Sequence, residues 1–478
     1  MKVLLTHSYF MQFDPKQVRH AMPYAPLGTL YAAALLRENG HEVSLFDTMF
    51  AHSSDELMPV FDSIQPEVLV IYDDGFNYLT KMCLTNMREA AFRMQEYAAS
   101  KGCKVIVASS DSTDHYAKYI EHRADYVIIG EAEYTLLELM NVLHTNTGTI
   151  SDIMGLAYFN GSEIVKTNKR VIKKDLDSMP LPAWDLVDIA PYKKVWMEKH
   201  GYFSVNIATT RGCPYKCNWC AKPIYGNIYN MRSPEHVVKE LALIKTLFHF
   251  DHIWFCDDIF GLKPEWVIHF AELVNKENIH FKYKIQSRAD LLVKEKYVEA
   301  LALSGCDEVW MGAESGSQKI LDAMDKGTTI EQIVEARQLL KQHGIKAAYF
   351  LQYGYPGEEL NDIQKTIQLV KDTMPDDIGI SVSYPLPGTV FYERVKQDLK
   401  TKANWSDSDE LAMMFHNTYQ PGFYKTLHRL THSIYRQYKA LNILKTKTIS
   451  MQWLHALLTY VKYVLLGQLQ RFRLKQTL

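Results

Sequence analysis

Over residues 209–223 the chain reads TTRGCPYKCNWCAKP, placing Cys213, Cys217 and Cys220 in one loop with three and then two residues between them. Thiolates are soft ligands suited to iron–sulfur clusters or zinc, and a tight loop can wrap three of them around one face of a cubane. Three ligands leave a fourth iron open. A structural zinc site would want a fourth Cys or His nearby, and His200 upstream and His236 downstream stand at no finger-like offset. Of the seven cysteines only these three cluster. Cys83, Cys103, Cys256 and Cys306 stand alone in apolar stretches, as reduced, buried thiols do.

Such a loop needs a large frame. A length of 478 residues suggests two or three domains, and 47% hydrophobic residues can fill their cores. A formal net charge of -2 gives no general attraction to nucleic acid, so no nucleic-acid partner is expected. The N-terminal MKVLLTHSYF enters a strand pattern without a basic n-region, long apolar h-region or cleavage site, so a cytoplasmic protein is expected.

Short apolar runs at 2–6, 42–46, 68–72, 104–108 and 126–129 alternate with helix-length segments, of which 27–39 (LGTLYAAALLREN) stops at Gly40. This predicts a doubly wound, flavodoxin-like parallel sheet over 1–145, with its ligand site beyond the carboxyl ends of the strands. Residues 146–200 read as a linker with a β-hairpin at Asn160-Gly161 and a stiff SMPLPAW stretch at 178–184. From near Phe203, strand patterns at 253–256, 281–285, 308–311, 347–352 and 378–382 predict a partial (β/α)6 barrel over 201–395. The fold class expected is α/β, closed by a helical region over 396–478.

That last region is lopsided. Residues 411–478 hold ten Lys and Arg and no Asp or Glu. Leu454, Leu457, Leu458, Val461 and Leu465 fall at helical spacing, but the run is short and broken by Lys462, so it is not expected to span a bilayer. Packing on the barrel, peripheral membrane contact and holding an anionic substrate are all open to it.

The CxxxCxxC loop, with Trp219 before its last cysteine, resembles the radical S-adenosylmethionine (SAM) superfamily. The resemblance implies a [4Fe–4S] cluster on Cys213, Cys217 and Cys220 whose open iron chelates SAM. Reductive cleavage then gives methionine and a 5′-deoxyadenosyl radical. Further segments match in order: WFCDD, with Asp257 and Asp258 near the methionine amino group or capping a helix; QSRAD, with Arg288 on the SAM carboxylate or paired with an acid; MGAESGS, with Glu314 and Ser315 toward SAM; QYGYPGE, with Gly354, Tyr355 and Pro356 against the adenine; and SYPLPGT at the final strand.

The preceding doubly wound domain resembles the cobalamin-binding module of the B12-dependent branch, which implies cobalamin near Leu27, Gly28, Asp73, Ser109, Ser110, Gly130 and Glu131. Two features depart from that pattern. There is no Asp-x-His-x-x-Gly to supply a histidine to cobalt, and Ser109 and Ser110 stand where a Gly-Gly turn is usual. The resemblance implies methyl transfer to an unactivated carbon, or oxidative ring closure of the kind performed by the anaerobic Mg-protoporphyrin monomethyl ester cyclase. A tRNA methylthiotransferase shares two of the turns, but carries three more cluster cysteines in its N-terminal domain, where this chain has only Cys83 and Cys103. The partners implied are a small-molecule or lipid substrate and an electron donor such as flavodoxin or ferredoxin.

Overall fold

A computed structural model describes all residues except 83, 223, 402–403, 446–449 and 478, so the expectations for Cys83 and Lys447 lie outside the described residues. The first sheet contains β1 (Lys2–Thr6), β2 (Glu42–Phe46), β3 (Val68–Tyr72), β4 (Lys104–Ala108), β5 (Tyr126–Ile128), β6 (Leu156–Phe159) and β7 (Ile164–Lys166), in the order β2-β1-β3-β4-β5-β6-β7. The first five are parallel, and the order reverses between β1 and β3, which opens a crevice beyond their carboxyl ends. Val68–Tyr72 is buried at every position, as a strand covered on both faces must be. Helix α1 (Leu27–Glu38) supplies one cover; its Ala32, Ala33 and Leu36 are fully buried.

The hairpin expected within the linker belongs to this sheet. Asn160-Gly161 turns β6 into β7, and β6 pairs antiparallel with β5, lengthening the sheet by two strands. The linker beyond it is pinned rather than loose. Trp184 is buried and its indole N–H donates to Glu240 Oε1 at 3.1 Å, while Glu240 also pairs with buried Arg232.

The second sheet is all parallel and has the order β15-β14-β13-β12-β11-β8. Its strands are β8 (Ser204–Ile207), β11 (His252–Phe255), β12 (Lys282–Ser287), β13 (Cys306–Glu314), β14 (Lys346–Tyr353) and β15 (Asp377–Val382); between β8 and β11, two short strands, β9 (Thr210–Arg211) and β10 (Asn230–Met231), form a separate antiparallel pair. Side chains alternate along these strands. Ile253, Phe255, Ile285 and Val309 are fully buried, whereas Trp254, Lys284, Gln286, Glu308 and Trp310 line the lumen of an open six-stranded barrel. In the first sheet's α/β series, directly after β4, Ser109 caps α2 (Ser110–Glu121) in a reciprocal box with Ser112. The chain ends in two long helices, α3 (Pro421–Leu444) and α4 (Met451–Lys475).

Removing Glu240 would leave Arg232 as an uncompensated buried charge and Trp184 without its acceptor. Glu240→Ala is expected to lower stability by about 3–5 kcal/mol in urea unfolding followed by circular dichroism, with Glu240→Gln losing less.

Candidate active site

The cysteine loop leaves β8 and runs between the two domains. Asp257, at the end of β11, sets its root: the carboxylate accepts Thr209 N–H at 2.7 Å, Thr209 O–H at 2.5 Å and Thr210 N–H at 2.8 Å. Burial pushes this carboxyl up to about 6. Neither Asp257 nor Asp258 caps a helix; Asp258 pairs with Lys81 of the first domain at 2.7 Å.

Arg211, two positions before Cys213, is the second anchor. Its guanidinium meets Glu131 at 2.5 Å and Glu133 at 2.7 Å, both from the loop and helix start after β5, and lies 5.3–5.8 Å from the centroids of Tyr31, Phe76 and Tyr225. All three charged groups are buried. The carboxylates hold the arginine well above its usual pKa although burial alone would lower it.

Cys213 is buried, Cys217 and Cys220 are half-buried, and all three are free thiols. Burial pushes Cys220 up to about 12 and raises Cys213 as well, so a bound cation would have to displace their protons. Among the described residues no three His, Cys, Asp or Glu side chains converge on a single-ion site. A cubane makes a different demand, one thiolate on each of three irons, and a single loop carrying three thiols can meet it. Lys222 folds back over this loop to the carbonyls of Cys213 and Tyr215.

Arg288 stands beside the thiols. Its Nη1 lies 3.8 Å from Cys217 Sγ, its plane stacks 3.6 Å above Tyr215, and Asp290 and the Lys326 carbonyl fix its other nitrogens at 2.8 and 2.7 Å. Of the two sequence readings of Arg288, contact with the SAM carboxylate or pairing with an acid, the Asp290 contact is the second. Glu314 sits at a bulge of β13 with φ of 57°, a conformation rare outside glycine, and its carboxylate accepts from Lys326 at 2.7 Å. Ser315 turns away to Thr366 at 3.1 Å. Trp219 has a buried indole N–H with no protein partner, an unfilled donor within the cysteine loop.

Besides Arg211, three residues absent from the sequence-level assignment complete the site. Asn218 ties the cysteine loop to the Ala323 carbonyl and Asp325, each at 2.8 Å, and accepts Tyr355 O–H at 2.8 Å, so the loop, the segment after β13 and the QYGYPGE turn move as one. Lys326 and Lys81 are the others. The order Cys-Asn-Trp-Cys hinted at Asn218 only through its place between two ligands. In the same turn, Gly354 adopts φ of 77°, a Cβ there would lie 2.5 Å from Met413, and its N–H donates to Glu358 at 2.6 Å.

A cavity of about 880 Å³ lies between the domains, at the upper end of the range for ligand sites. Tyr9, Met11, Met49, Asn77 and Leu79 form its wall on the first domain, the lumen residues face them, and α3 and α4 close the far side. Lys284 is held there 5.4 and 5.5 Å from the ring centroids of Tyr24 and Trp254. The residues expected around cobalamin are placed otherwise. Asp73 accepts Ser8 N–H and O–H at 2.6 and 2.8 Å, Gly28 N–H donates to Asp74, Ser109 caps α2, Gly130 N–H donates to Thr113, and Glu131 holds Arg211. Leu27 is fully buried, and the Ser110 hydroxyl is buried without a partner. None of the seven lines the large cavity. Ser109 and Ser110 fall here because serine is favoured where a helix must begin.

Glu358 is raised by burial to about 8, against 4.5 for an ordinary glutamate. Its protonated form is favoured in the folded chain, so this contribution to stability is complete below the unfolded value and is lost as pH rises through about 8. Glu358→Gln mimics the protonated acid, and urea midpoints between about pH 5 and 8 should fall less steeply in that variant than in the parent chain.

The family model of the Radical SAM superfamily matches residues 207–370. An uncharacterised methyltransferase of Pyrococcus horikoshii is 26% identical over 387 residues, 80% of each chain. The hopanoid C-3 methylase of Methylococcus capsulatus is 25% identical over 407 residues, 84% of this chain and 74% of that one. Among solved structures, the cobalamin-dependent SAM radical enzyme OxsB with aqua-cobalamin bound shares the fold, with a TM-score of 0.72 at 18% identity, covering 99% of this chain and 72% of OxsB. With the three-cysteine loop and the parallel barrel that carries it, these matches identify residues 207–370 as a radical SAM domain and the chain as an enzyme that shares its overall fold with OxsB.

Proposed function

We propose that the chain uses SAM to functionalise an unactivated carbon of a substrate held in the interdomain cavity, with methyl transfer as the outcome. One observation carries the reading: three free thiols share a loop that Arg288 and Asn218 fix from the barrel and Arg211 fixes from the first domain. Cys213, Cys217 and Cys220 are the proposed cluster ligands. When bound, the cluster supplies the electron that splits SAM into methionine and a 5′-deoxyadenosyl radical.

The chain's own residues bind, orient and exclude. Arg288, a buried cation beside Cys217, offsets negative charge at the cluster face and is kept from swinging away by Asp290 and Tyr215. Lys326 and Glu314 neutralise each other and present a paired polar surface to the amino-acid part of SAM. The unfilled Trp219 N–H offers a donor to an acceptor on the bound ligand. Gly354, Tyr355 and Pro356 present backbone to the adenine, which the tight approach of Met413 to Gly354 keeps in place. Lys81 and Asp258 cover the loop on the first-domain side.

Cobalamin is proposed as the methyl carrier, with Tyr9, Met11, Met49, Asn77 and Leu79 to hold it rather than the strand-end residues, most of whose polar groups are taken up by other protein groups. The supporting observations are the volume of that cavity and its place beyond the carboxyl ends of β1, β2 and β3. A bound corrin would supply a methyl group to the substrate carbon. The electron is expected from a small redox protein of the flavodoxin or ferredoxin type.

Anaerobic reconstitution, followed by SAM and dithionite, should yield 5′-deoxyadenosine, and Cys217→Ala should abolish it with the circular dichroism spectrum unchanged. Absence of the product from a cluster-loaded parent chain would refute the radical step. Hydroxocobalamin offered during reconstitution should be taken up at one equivalent per chain, read by its visible spectrum. No uptake would remove methyl transfer from cobalamin and leave ring closure or another radical outcome.

A further inference from the structure

Helix α4 exposes an apolar stripe that nothing among the described residues covers. Met451, Leu454, Leu458, Val461, Leu465, Leu469 and Phe472 recur every three or four residues along one face, and the most open of them, Met451, is 82% exposed. On the opposite face the buried positions are small, Ala456 and Gly467, and Ala456 shares a groove with Ala440 and Ile443 of α3. Lys462 and Arg473 flank one edge of the stripe and Arg471 and Lys475 the other, and neither α3 nor α4 contains an acidic residue. Among the described residues no helix is long and apolar enough to cross a membrane.

We propose that α4 lies in the plane of an anionic lipid surface, its stripe entering the acyl boundary and its flanking cations meeting the headgroups. Charge decides between the candidate occupants. A second copy would set two acid-free, basic helices side by side, with no carboxylate to pair across the seam, whereas an anionic bilayer complements both the stripe and its borders. A groove of about 620 Å³ between α3 and α4 continues from the stripe at Leu458 and shares Arg436, Lys462 and Tyr463 with the interdomain cavity. No carboxylate lines it, and Arg436, Lys439 and Lys462 do. Docking in this pose opens the cavity toward the lipid surface. The proposal does not rest on the assignment of the cluster site.

The test is co-sedimentation of the full chain with vesicles of phosphatidylcholine alone and of phosphatidylcholine mixed with phosphatidylglycerol. Binding to the mixed vesicles should exceed binding to the neutral ones by roughly fivefold for each cation brought to the surface. The triple variant Leu454→Gln, Leu465→Gln, Phe472→Gln should lose roughly tenfold or more of that binding. The double variant Arg473→Glu, Lys475→Glu should lose the preference for the anionic vesicles. Both should match the parent chain in circular dichroism and in urea midpoint, which shows that they fold and keeps this test separate from that of the cluster. Equal binding to neutral vesicles, or none to either kind, would overturn the proposal. So would a dimer in light scattering that the triple variant converts to monomer.

Discussion

The arrangement of the molecule turns on one buried cation. Arg211 belongs to the strand that leads into the cysteine loop, yet both of its carboxylate partners belong to the first domain, and Glu131 also accepts the backbone N–H of Lys173 in the segment between the domains. Desolvating a guanidinium is costly, and it is tolerated here because two carboxylates and three aromatic faces surround it at once. Loss of any one partner leaves an unbalanced charge in a dry interface. The position of the cysteines therefore depends on the first domain being folded and docked, and the two domains act as one unit around the loop.

That dependence explains how the polar groups at the carboxyl edge of the first sheet are used. In a doubly wound domain these positions usually face a ligand. Here several face other protein groups: Asp73 ties the loop after β1, Asp74 receives the start of α1, and Arg88 pairs with Asp111 beside Tyr119. The open volume lies further out, where loops after β1, β2 and β3 meet the barrel lumen. The domain thus contributes a wall and an anchor, and ligand recognition passes largely to the lumen and to α3 and α4.

What the sequence disclosed follows from the range of each interaction. Strand alternation, the Gly40 stop and the three cysteines are local signals, and the sheets and the loop follow from them closely. Arg211, Lys81, Lys326 and Asn218 lay hidden because their roles come from partners distant in the chain; Asp258, for instance, lies 177 positions from Lys81. Single residues of common types reveal such pairings only once the fold brings them together. The hairpin was visible as a turn, but not as an edge of the first sheet, because register against β5 is a tertiary property. Asp257 likewise satisfied the local rule for a helix cap and in fact serves backbone N–H groups of another strand end.

The C-terminal pair reverses the usual logic of an amphipathic helix. A helix that docks on a protein core buries its large apolar residues and exposes its polar ones. In α4 the buried positions are the small residues Ala456 and Gly467, while leucines and Phe472 point outward. Were stability of the fold the only demand, large side chains in place of Ala456 and Gly467, with polar ones outside, would serve it better. Small residues inside and large ones outside fit a helix whose apolar face meets something other than the described residues of this chain.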